Sequence, residues 1–174
     1  FDERIWRGSN GAGGEVGHIT VVENGAVCGC GAPGCLEAYA SAPAIARQAR
    51  EALQSGKTSR LTDLCGGDLE KITAELVAQA AMEGDQVATA VMYRAATLLG
   101  IAVAGLTNLL NPELFVIGGG VVKAGSLIFD PIWEQVDRIA YKWSASILEI
   151  VPATLGDDAG IIGAARNFMV ERAD

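Results

Sequence analysis

The segment Cys28-Gly-Cys-Gly-Ala-Pro-Gly-Cys35 contains three of the chain's four cysteines, and the single histidine, His18, lies ten residues upstream. One neutral imidazole and three thiolates form a standard ligand set for tetrahedral zinc. The glycines between the cysteines let the backbone turn tightly enough for the sulfurs to converge. His18, Cys28, Cys30 and Cys35 are therefore predicted to bind a structural zinc ion that has no open coordination position.

The alternative is that these cysteines are free thiols, since cysteine is often a small buried hydrophobic residue. A disulfide framework is disfavoured because three cysteines lie within eight positions, a crowding that suits a metal site better. A reduced metal site favours a cytoplasmic location. Cys65 stands far from the segment, and we interpret it as a buried or free thiol.

Hydrophobic periodicity and turn residues predict an α/β chain in which helices pack on a sheet. Ser41 is predicted to cap the first helix, with Pro43 in its first turn. Pro131 is expected in the first turn of a later helix. The predicted elements are strands over 16–22, 114–117 and 147–151, and helices over 36–53, 68–82, 85–111, 126–143 and 157–171, with a single helical turn within 58–67.

The formal net charge of −8 over 174 residues argues against attraction to nucleic acid or to an anionic membrane by bulk charge. The start of the chain, Phe1 to Arg4, has no basic region before an apolar run, so no secretory signal is expected. The most apolar stretch, 95–110, is expected to be too short to span a bilayer. The length suits one domain over residues 1–174.

Several motifs together resemble those of the ROK family, which comprises repressors, open reading frames and sugar kinases. The cysteine-rich motif is the specific one, whereas glycine runs alone would be weak. The run from Cys35 to Ser41 is most similar to the glucokinase branch. The matching motifs are Gly14-Glu-Val-Gly-His18, Cys28-Gly-Cys-Gly-Ala-Pro-Gly-Cys-Leu-Glu37, Asn108-Leu-Leu-Asn-Pro-Glu113, Val116-Ile-Gly-Gly-Gly120 and Leu155-Gly-Asp-Asp-Ala-Gly160.

The resemblance implies the C-terminal lobe of an actin-like ATPase (ribonuclease H-like) fold with an inserted zinc loop over 18–37. It further implies phosphorylation of a hexose, with glucose favoured, at the 6-hydroxyl by ATP with Mg²⁺, in carbohydrate metabolism and glycolysis. Assembly into a homodimer or homotetramer is implied as well.

The resemblance also implies roles for individual residues. Glu15 and Glu37 correspond to carboxylates that bind sugar hydroxyls, and His18 to a residue that binds both zinc and sugar. The run Gly118, Gly119 and Gly120 corresponds to the loop along which adenosine lies. The physical alternatives are a helix-dipole role for Glu37 and a plain strand-to-helix turn for the glycine run.

Three family motifs do not occur in this sequence. They are an Asp-x-Gly-Gly-Thr phosphate motif, a catalytic aspartate that follows an asparagine in the N-terminal lobe, and a Gly-Thr-Gly-x-Gly-Gly phosphate loop expected just before Phe1. No catalytic residue is therefore assigned within the chain, and the isolated chain is expected to have no turnover.

Two further functions remain open at this point. One is the effector-binding domain of a sugar-responsive transcriptional repressor of the same family. The other is a non-catalytic, zinc-stabilised sugar-binding module. Trp133, Tyr141 and Trp143 are interpreted as core or subunit contacts rather than as a sugar platform.

Overall fold

The computed structural model describes residues 5–171. The expectation about a secretory signal rests on Phe1 to Arg4 and lies outside the described residues. The helices and strands are, in chain order, α1 (Glu37–Ala40), α2 (Ala42–Gln54), α3 (Leu61–Leu64), α4 (Ala74–Met82), α5 (Gln86–Leu110), β1 (Leu114–Ile117), α6 (Ser126–Ile139), α7 (Lys142–Ala145), β2 (Glu149–Pro152) and α8 (Ala159–Glu171).

The long helix α5 is delimited by a side chain at one end and by backbone conformation at the other. Asp85 caps its start and accepts hydrogen bonds from the backbone N–H groups of Ala88 and Arg60, each at 2.8 Å. Burial alone would raise the pKa of Asp85, but these hydrogen bonds outweigh it and hold the pKa below its usual range. At the other end Asn111 adopts a left-handed conformation (φ 47°), and Pro112 follows it. The predicted helix over 85–111 is thus confirmed to within a residue at each end.

Helices α5 and α6 pack closely at Gly100 in the main hydrophobic core. A Cβ atom at position 100 would lie 2.9 Å from both Cα and the carbonyl oxygen of Ile132, which is fully buried on α6. Glycine therefore sets the distance between these two helices. Met92, Leu61 and Val77 are fully buried in the same core, which joins α2, α3, α4, α5 and α6.

Two parallel strands, β1 and β2, form the sheet, and Leu114 pairs with Glu149 at the start of the register. Phe115 and Ile150 face the helices, whereas Leu114 and Val116 are exposed on the opposite face. Helices α6 and α7 lie between the strands in sequence, as a parallel connection requires. The predicted α/β class is confirmed, and the strand over 114–117 is correct.

The predicted strand over 16–22 is wrong. Val16–His18 forms one turn of 3-10 helix, and only Thr20 makes a β-bridge, to Cys35. Val21 and Val22 instead pack against a small cluster of buried side chains that includes Leu36 on the loop and Leu98 on α5. Valine suits both a β-strand and an apolar cluster, so the residue types alone could not distinguish between these two structures.

Two predicted helices are interrupted. The helix over 36–53 breaks at Ser41, which is extended (ψ 155°) and caps α2 by accepting from the N–H of Ala44 at 3.3 Å, so the predicted cap is confirmed. The helix over 126–143 ends at Ile139, because Ala140 is extended before α7 begins. Pro131 lies in the second turn of α6, not in the first.

The segment predicted as a helix over 68–82 begins with a 3-10 turn at Leu69–Lys71, and α4 starts only after Thr73 caps it. The last predicted helix starts at Ala159, after a 3-10 turn at Gly156–Asp158. Strand β2 is shifted two residues from the predicted start at Ile147.

The expectation that the apolar stretch 95–110 is too short to span a bilayer does not hold for α5 as folded. With 25 residues and a mean hydropathy of 1.7, α5 is long and apolar enough to cross a membrane by length and composition alone. More than half of its most apolar window is buried, at 56%, and most of its buried apolar side chains pack in the main core, whereas Leu98 and Ala102 pack in the smaller cluster with Leu36. Burial of this kind is typical of the core helix of a folded domain.

Candidate metal centre and sugar site

The loop between His18 and Glu37 is held by backbone hydrogen bonds rather than by a regular sheet. The N–H of Leu36 donates to Ile19 at 2.9 Å, and the N–H of Cys28 donates to Ala32 at 2.9 Å. These bonds fold the segment back on itself, so that residues distant in sequence meet at its base.

Gly34 is the residue that permits this fold. Its φ of +77° lies in the left-handed region, and a Cβ atom at this position would overlap the carbonyl oxygen of Val22. Its N–H donates to Ala26 at 2.8 Å, and its carbonyl accepts from Val21 at 2.9 Å. Only glycine combines this φ with so close an approach to the neighbouring backbone.

The fold brings the four predicted zinc ligands together. The ligand atoms of His18, Cys28, Cys30 and Cys35 all lie within 4.8 Å of one another. Cys30 Sγ is 3.7 Å from Cys35 Sγ, and Cys28 Sγ is 3.6 Å from His18 Nδ1. In a tetrahedral site with the usual zinc bond lengths, two sulfurs lie about 3.8 Å apart and sulfur and nitrogen about 3.5 Å. The residues present therefore fit a zinc ion, with Nδ1 as the imidazole ligand.

The thiols differ in environment. Burial raises the pKa of Cys35 to about 11, and the side chain is fully inaccessible. A hydrogen bond from the backbone N–H of Ala32 lowers the pKa of Cys30, which is exposed. Three thiolates this close repel one another unless a cation lies among them, so the donor set is suited to a divalent metal. All four cysteines are free thiols, and Cys65 Sγ donates instead to the carbonyl of Thr62 at 3.4 Å.

Both predicted sugar-binding carboxylates lie beside this cluster. Glu15 Oε2 is 3.8 Å from His18 Nε2, whereas the other ring nitrogen, Nδ1, is the one 3.6 Å from Cys28 Sγ. Glu37 Oε1 accepts from the Cys28 thiol at 3.5 Å. Gly17 contacts the Glu37 side chain, since a Cβ atom there would lie 3.6 Å from Oε2. Glu15 and Glu37 are exposed, so their oxygens are accessible to a ligand.

A groove of about 600 Å³ runs past Cys28 and Glu37 and is also lined by Ser41 and Arg47. Arg47 is fixed within it by a hydrogen bond to the carbonyl of Ala38 at 2.8 Å. Volumes of several hundred Å³ are usual for small-molecule sites. The groove is thus of a size usual for a small-molecule site, and of the two carboxylates only Glu37 lines it.

Tyr39 ties the loop to α1, a role that the sequence did not reveal. Its hydroxyl oxygen accepts a hydrogen bond from the N–H of Ala26 at 2.7 Å, and a Cβ atom at Gly25 would overlap that oxygen. The only signal in the sequence is the position of Tyr39, two residues after Glu37, which does not reveal where the hydroxyl points.

The glycine run follows β1 directly, as predicted, and all three residues are exposed. Gly119 has a φ of +106°, and Gly120 begins a 3-10 turn that ends at Ala124. Gly118 lines a small cavity of about 80 Å³ together with Ala40, at the end of α1. The run therefore starts close to the helix whose first residue is Glu37.

The aromatic side chains divide into two groups. Trp133 packs against the main core, whereas Tyr141 and Trp143 are 68% and 81% exposed. None of the three lines the groove beside Glu37. Tyr141 and Trp143 are thus not core residues of the described chain.

Comparisons with known proteins agree on one family. The glucokinase of Halalkalibacterium halodurans is 47% identical over 163 residues, covering 91% of this chain and 48% of the relative. The DNA-binding transcriptional dual regulator NagC of Escherichia coli is 34% identical over 161 residues, covering 92% of this chain and 38% of the regulator. The ROK family glucokinase of Streptomyces griseus, solved with glucose and AMPPNP, superposes with a TM-score of 0.82 at 36% identity, covering 94% of this chain and 53% of that one.

The chain spans about half the length of the curated glucokinase that it matches. The sequence profile of the ROK family matches residues 1–170, which include the cysteine cluster, both carboxylates and the glycine run. The chain therefore belongs to the ROK family.

Proposed function

We propose that this chain is the zinc- and hexose-binding part of an ATP-dependent glucokinase. The observation that carries the proposal is the placement of Glu15, His18 and Glu37 around one cysteine cluster. Glu37 and Cys28 also line a groove of about 600 Å³. The 47% identity to the Halalkalibacterium halodurans glucokinase supports a kinase function over the other functions found in the family.

In this proposal His18, Cys28, Cys30 and Cys35 hold a structural zinc ion. When bound, the ion would offset two of the three thiolate charges and fix the loop, and it would take no part in phosphoryl transfer. A metal-bound thiolate has no proton to donate, so Glu37 Oε1 is then free to accept a hydrogen bond from a sugar hydroxyl. The ordering of the loop also holds His18 Nε2 beside Glu15.

The two carboxylates bind neighbouring hydroxyl groups of the hexose. Hydrogen bonds to an ionised acceptor are about twice as strong as those between neutral groups, which suits recognition of a ligand without charge. His18 Nε2, which lies 3.8 Å from Glu15 Oε2, presents a third polar atom. Because these groups are fixed before the sugar arrives, little conformational freedom is lost on binding.

ATP with Mg²⁺ is the proposed phosphoryl donor, and the nucleotide lies along Gly118, Gly119 and Gly120. The sugar's 6-hydroxyl attacks the γ-phosphate, with the catalytic aspartate and the phosphate loops supplied by an N-terminal lobe of the actin-like ATPase fold. This chain supplies the sugar site and the nucleoside side of the cleft. The superposition on the Streptomyces griseus glucokinase supports this arrangement.

The second candidate is the effector-binding domain of a sugar-responsive repressor, because NagC is 34% identical over 161 residues. In that case the same carboxylates bind a sugar, and the sugar controls attachment to DNA instead of being phosphorylated. Phosphoryl transfer, which needs a positioned base, separates the two functions.

Three further properties belong to the same proposal. The protein acts in the cytoplasm, where the cysteines stay reduced. It contacts no nucleic acid, and it assembles into a homodimer or homotetramer. The exposed Tyr141 and Trp143 are available for such an interface.

The test compares the chain alone with a longer protein in which an N-terminal kinase lobe precedes it. With glucose and Mg-ATP, a coupled assay is expected to detect glucose 6-phosphate only for the longer protein, and Glu37→Gln is expected to weaken its use of glucose. Sugar binding without any turnover by the longer protein would favour the repressor instead. Turnover by the isolated chain would contradict the assignment of the catalytic base to another lobe.

A further inference from the structure

Cys30 differs from the other cysteines because its side chain is open to solvent. The structure describes all four cysteines of the chain, and Cys30 is the exposed one, whereas Cys28, Cys35 and Cys65 are buried. The exposed fraction of Cys35 is 0% and that of Cys28 is 5%. Since accessibility helps to decide which cysteine is oxidised, a dissolved oxidant reaches the Cys30 sulfur first.

Cys35 is the partner that the geometry offers to Cys30. The two sulfurs are 3.7 Å apart, and because a disulfide bond is about 2.05 Å long they must approach by about 1.7 Å. Only four residues separate the two cysteines, and the turn between them already brings the sulfurs together. Cys28 Sγ lies instead 3.6 Å from His18 Nδ1 and 3.5 Å from Glu37 Oε1. An exposed cysteine beside a second sulfur is the arrangement typical of redox-sensing sites.

We propose that Cys30 and Cys35 form a reversible oxidation site, where a peroxide converts the pair to a disulfide and thereby disables the metal centre and the sugar site. In a reduced compartment a disulfide of this kind is transient, as redox-sensing disulfides are. The effect on sugar binding rests on the proposed function, because it places the sugar at Glu15, His18 and Glu37.

The oxidation takes place in two balanced steps. Hydrogen peroxide transfers one oxygen atom to the Cys30 thiol, which becomes a sulfenic acid, while the O–O bond breaks and the other oxygen leaves as water. The Cys35 sulfur then attacks the Cys30 sulfur, so that an S–S bond forms, the S–O bond breaks and a second water leaves. Together the two thiols lose two electrons and two protons, and one peroxide is reduced to two waters. An added dithiol reverses the change by thiol–disulfide exchange.

The disulfide affects both parts of the site. It removes two of the four ligands proposed for zinc, so the affinity for the ion is expected to fall by roughly 1000-fold or more. His18 then loses the ion that would hold its ring, and Glu37 follows the oxidised Cys35 by only two residues. Groups that contact the sugar thus lose their fixed positions, and sugar binding is expected to be lost with them.

The test maps the oxidised cysteines after the reduced, zinc-loaded chain is treated with a stoichiometric amount of hydrogen peroxide. A light alkylating agent marks the thiols that remain, and a heavy one marks those that appear on reduction. One tryptic peptide, 8–47, contains Cys28, Cys30 and Cys35, so fragment ions must assign each label. We expect the heavy label on Cys30 and Cys35, the light label on Cys28 and Cys65, and release of zinc to a chromophoric chelator as the disulfide forms.

Serine variants separate this pair from general oxidation of thiols. Cys28→Ser keeps both members of the pair and is expected to form the disulfide even if its zinc binding is weakened. Cys30→Ser is expected to form none, because its remaining thiols are buried. Cys35→Ser is expected to stop at the sulfenic acid, which dimedone traps. Cys65→Ser lies outside the cluster and is the control that is expected to behave as the parent chain does.

Three results would overturn the inference. The first is the light label on both Cys30 and Cys35, and the second is a disulfide that joins Cys28 to either of them. The third is equal glucose binding in calorimetry before and after the disulfide forms. Failure of the proposed function is distinguishable, since thiol mapping needs no sugar. If the reduced chain binds no glucose but the Cys30–Cys35 disulfide forms, the proposed function fails and the oxidation site stands.

Discussion

Replacement of Gly34 by alanine is expected to destroy the metal centre while the helical core stays folded. Alanine at a φ of +77° costs about 1–2 kcal/mol in the left-handed region. Its Cβ would overlap the carbonyl oxygen of Val22, so the backbone must move. That movement breaks the hydrogen bonds of Gly34 with Ala26 and Val21, each worth about 1 kcal/mol.

These terms add to about 3–4 kcal/mol against the metal-bound loop, which corresponds to zinc affinity reduced by roughly 100- to 1000-fold. Competition with a chromophoric chelator measures that affinity. Two matched variants separate the causes, since a Cβ at Gly31 or Gly29 meets no atom within 4 Å. In Gly31→Ala the only cost is that of alanine at a φ of +89°, and zinc affinity is expected to fall about 10-fold.

Gly29→Ala has neither a positive φ nor a contact and is expected to bind zinc as the parent chain does. Circular dichroism checks that helix content is the same in all three variants, because the core helices lie outside this loop. If Gly34→Ala binds zinc as tightly as Gly29→Ala, then the close approach at Val22 does not determine the site, and this reasoning is refuted.

Three further predictions concern the sugar site, the helix cap and the core. Glu37→Gln is expected to weaken glucose binding about 10-fold in calorimetry and to leave zinc content unchanged, because a neutral amide is a poorer acceptor; equal binding would remove Glu37 from the sugar site. The pKa of Asp85 is lowered in the folded protein, so its ionised carboxylate stabilises the fold at pH values above the ordinary aspartate pKa of about 3.9. This contribution is lost as the pH falls through the pKa of Asp85 in the folded protein. Asp85→Asn keeps a capping side chain but is expected to lower the free energy of unfolding by about 1–3 kcal/mol at pH 7. Urea unfolding at several pH values is also expected to show that the variant loses less stability than the parent chain as the pH falls. An equal loss of stability at acid pH in both proteins would contradict the role of the charge. Gly100→Ala is expected to cost about 1–3 kcal/mol through overpacking, whereas exposed Gly105→Ala on the same helix, where no atom lies within 4 Å, is expected to be neutral or stabilising; similar unfolding midpoints would argue against close packing of α5 on α6.

Local chemistry was predictable where one residue type determines one structure. Asp85 begins α5, Ser41 caps α2, and Asn111 before a proline ends the long helix, because these side chains have strong positional preferences. The convergence of His18 with Cys28, Cys30 and Cys35 was also predictable, since metal ligands meet in space when glycines allow the turn. The presence of the ion itself stays a prediction.

Tertiary contacts were not predictable from the sequence. Val16–His18 forms a 3-10 turn instead of a strand, because packing against the cluster around Leu98 outweighs local β propensity. The hydrogen bond from the N–H of Ala26 to the Tyr39 hydroxyl joins residues that lie 13 positions apart. No sequence spacing reveals it.

The central claim is that one zinc-ordered loop creates the sugar site. Metal content by mass spectrometry on the freshly reduced chain, with glucose calorimetry before and after chelation, tests it most directly. We expect one zinc per chain, and glucose binding that disappears on chelation and returns when zinc is restored. Reduced protein without zinc, or glucose binding that survives removal of the metal, would contradict the account.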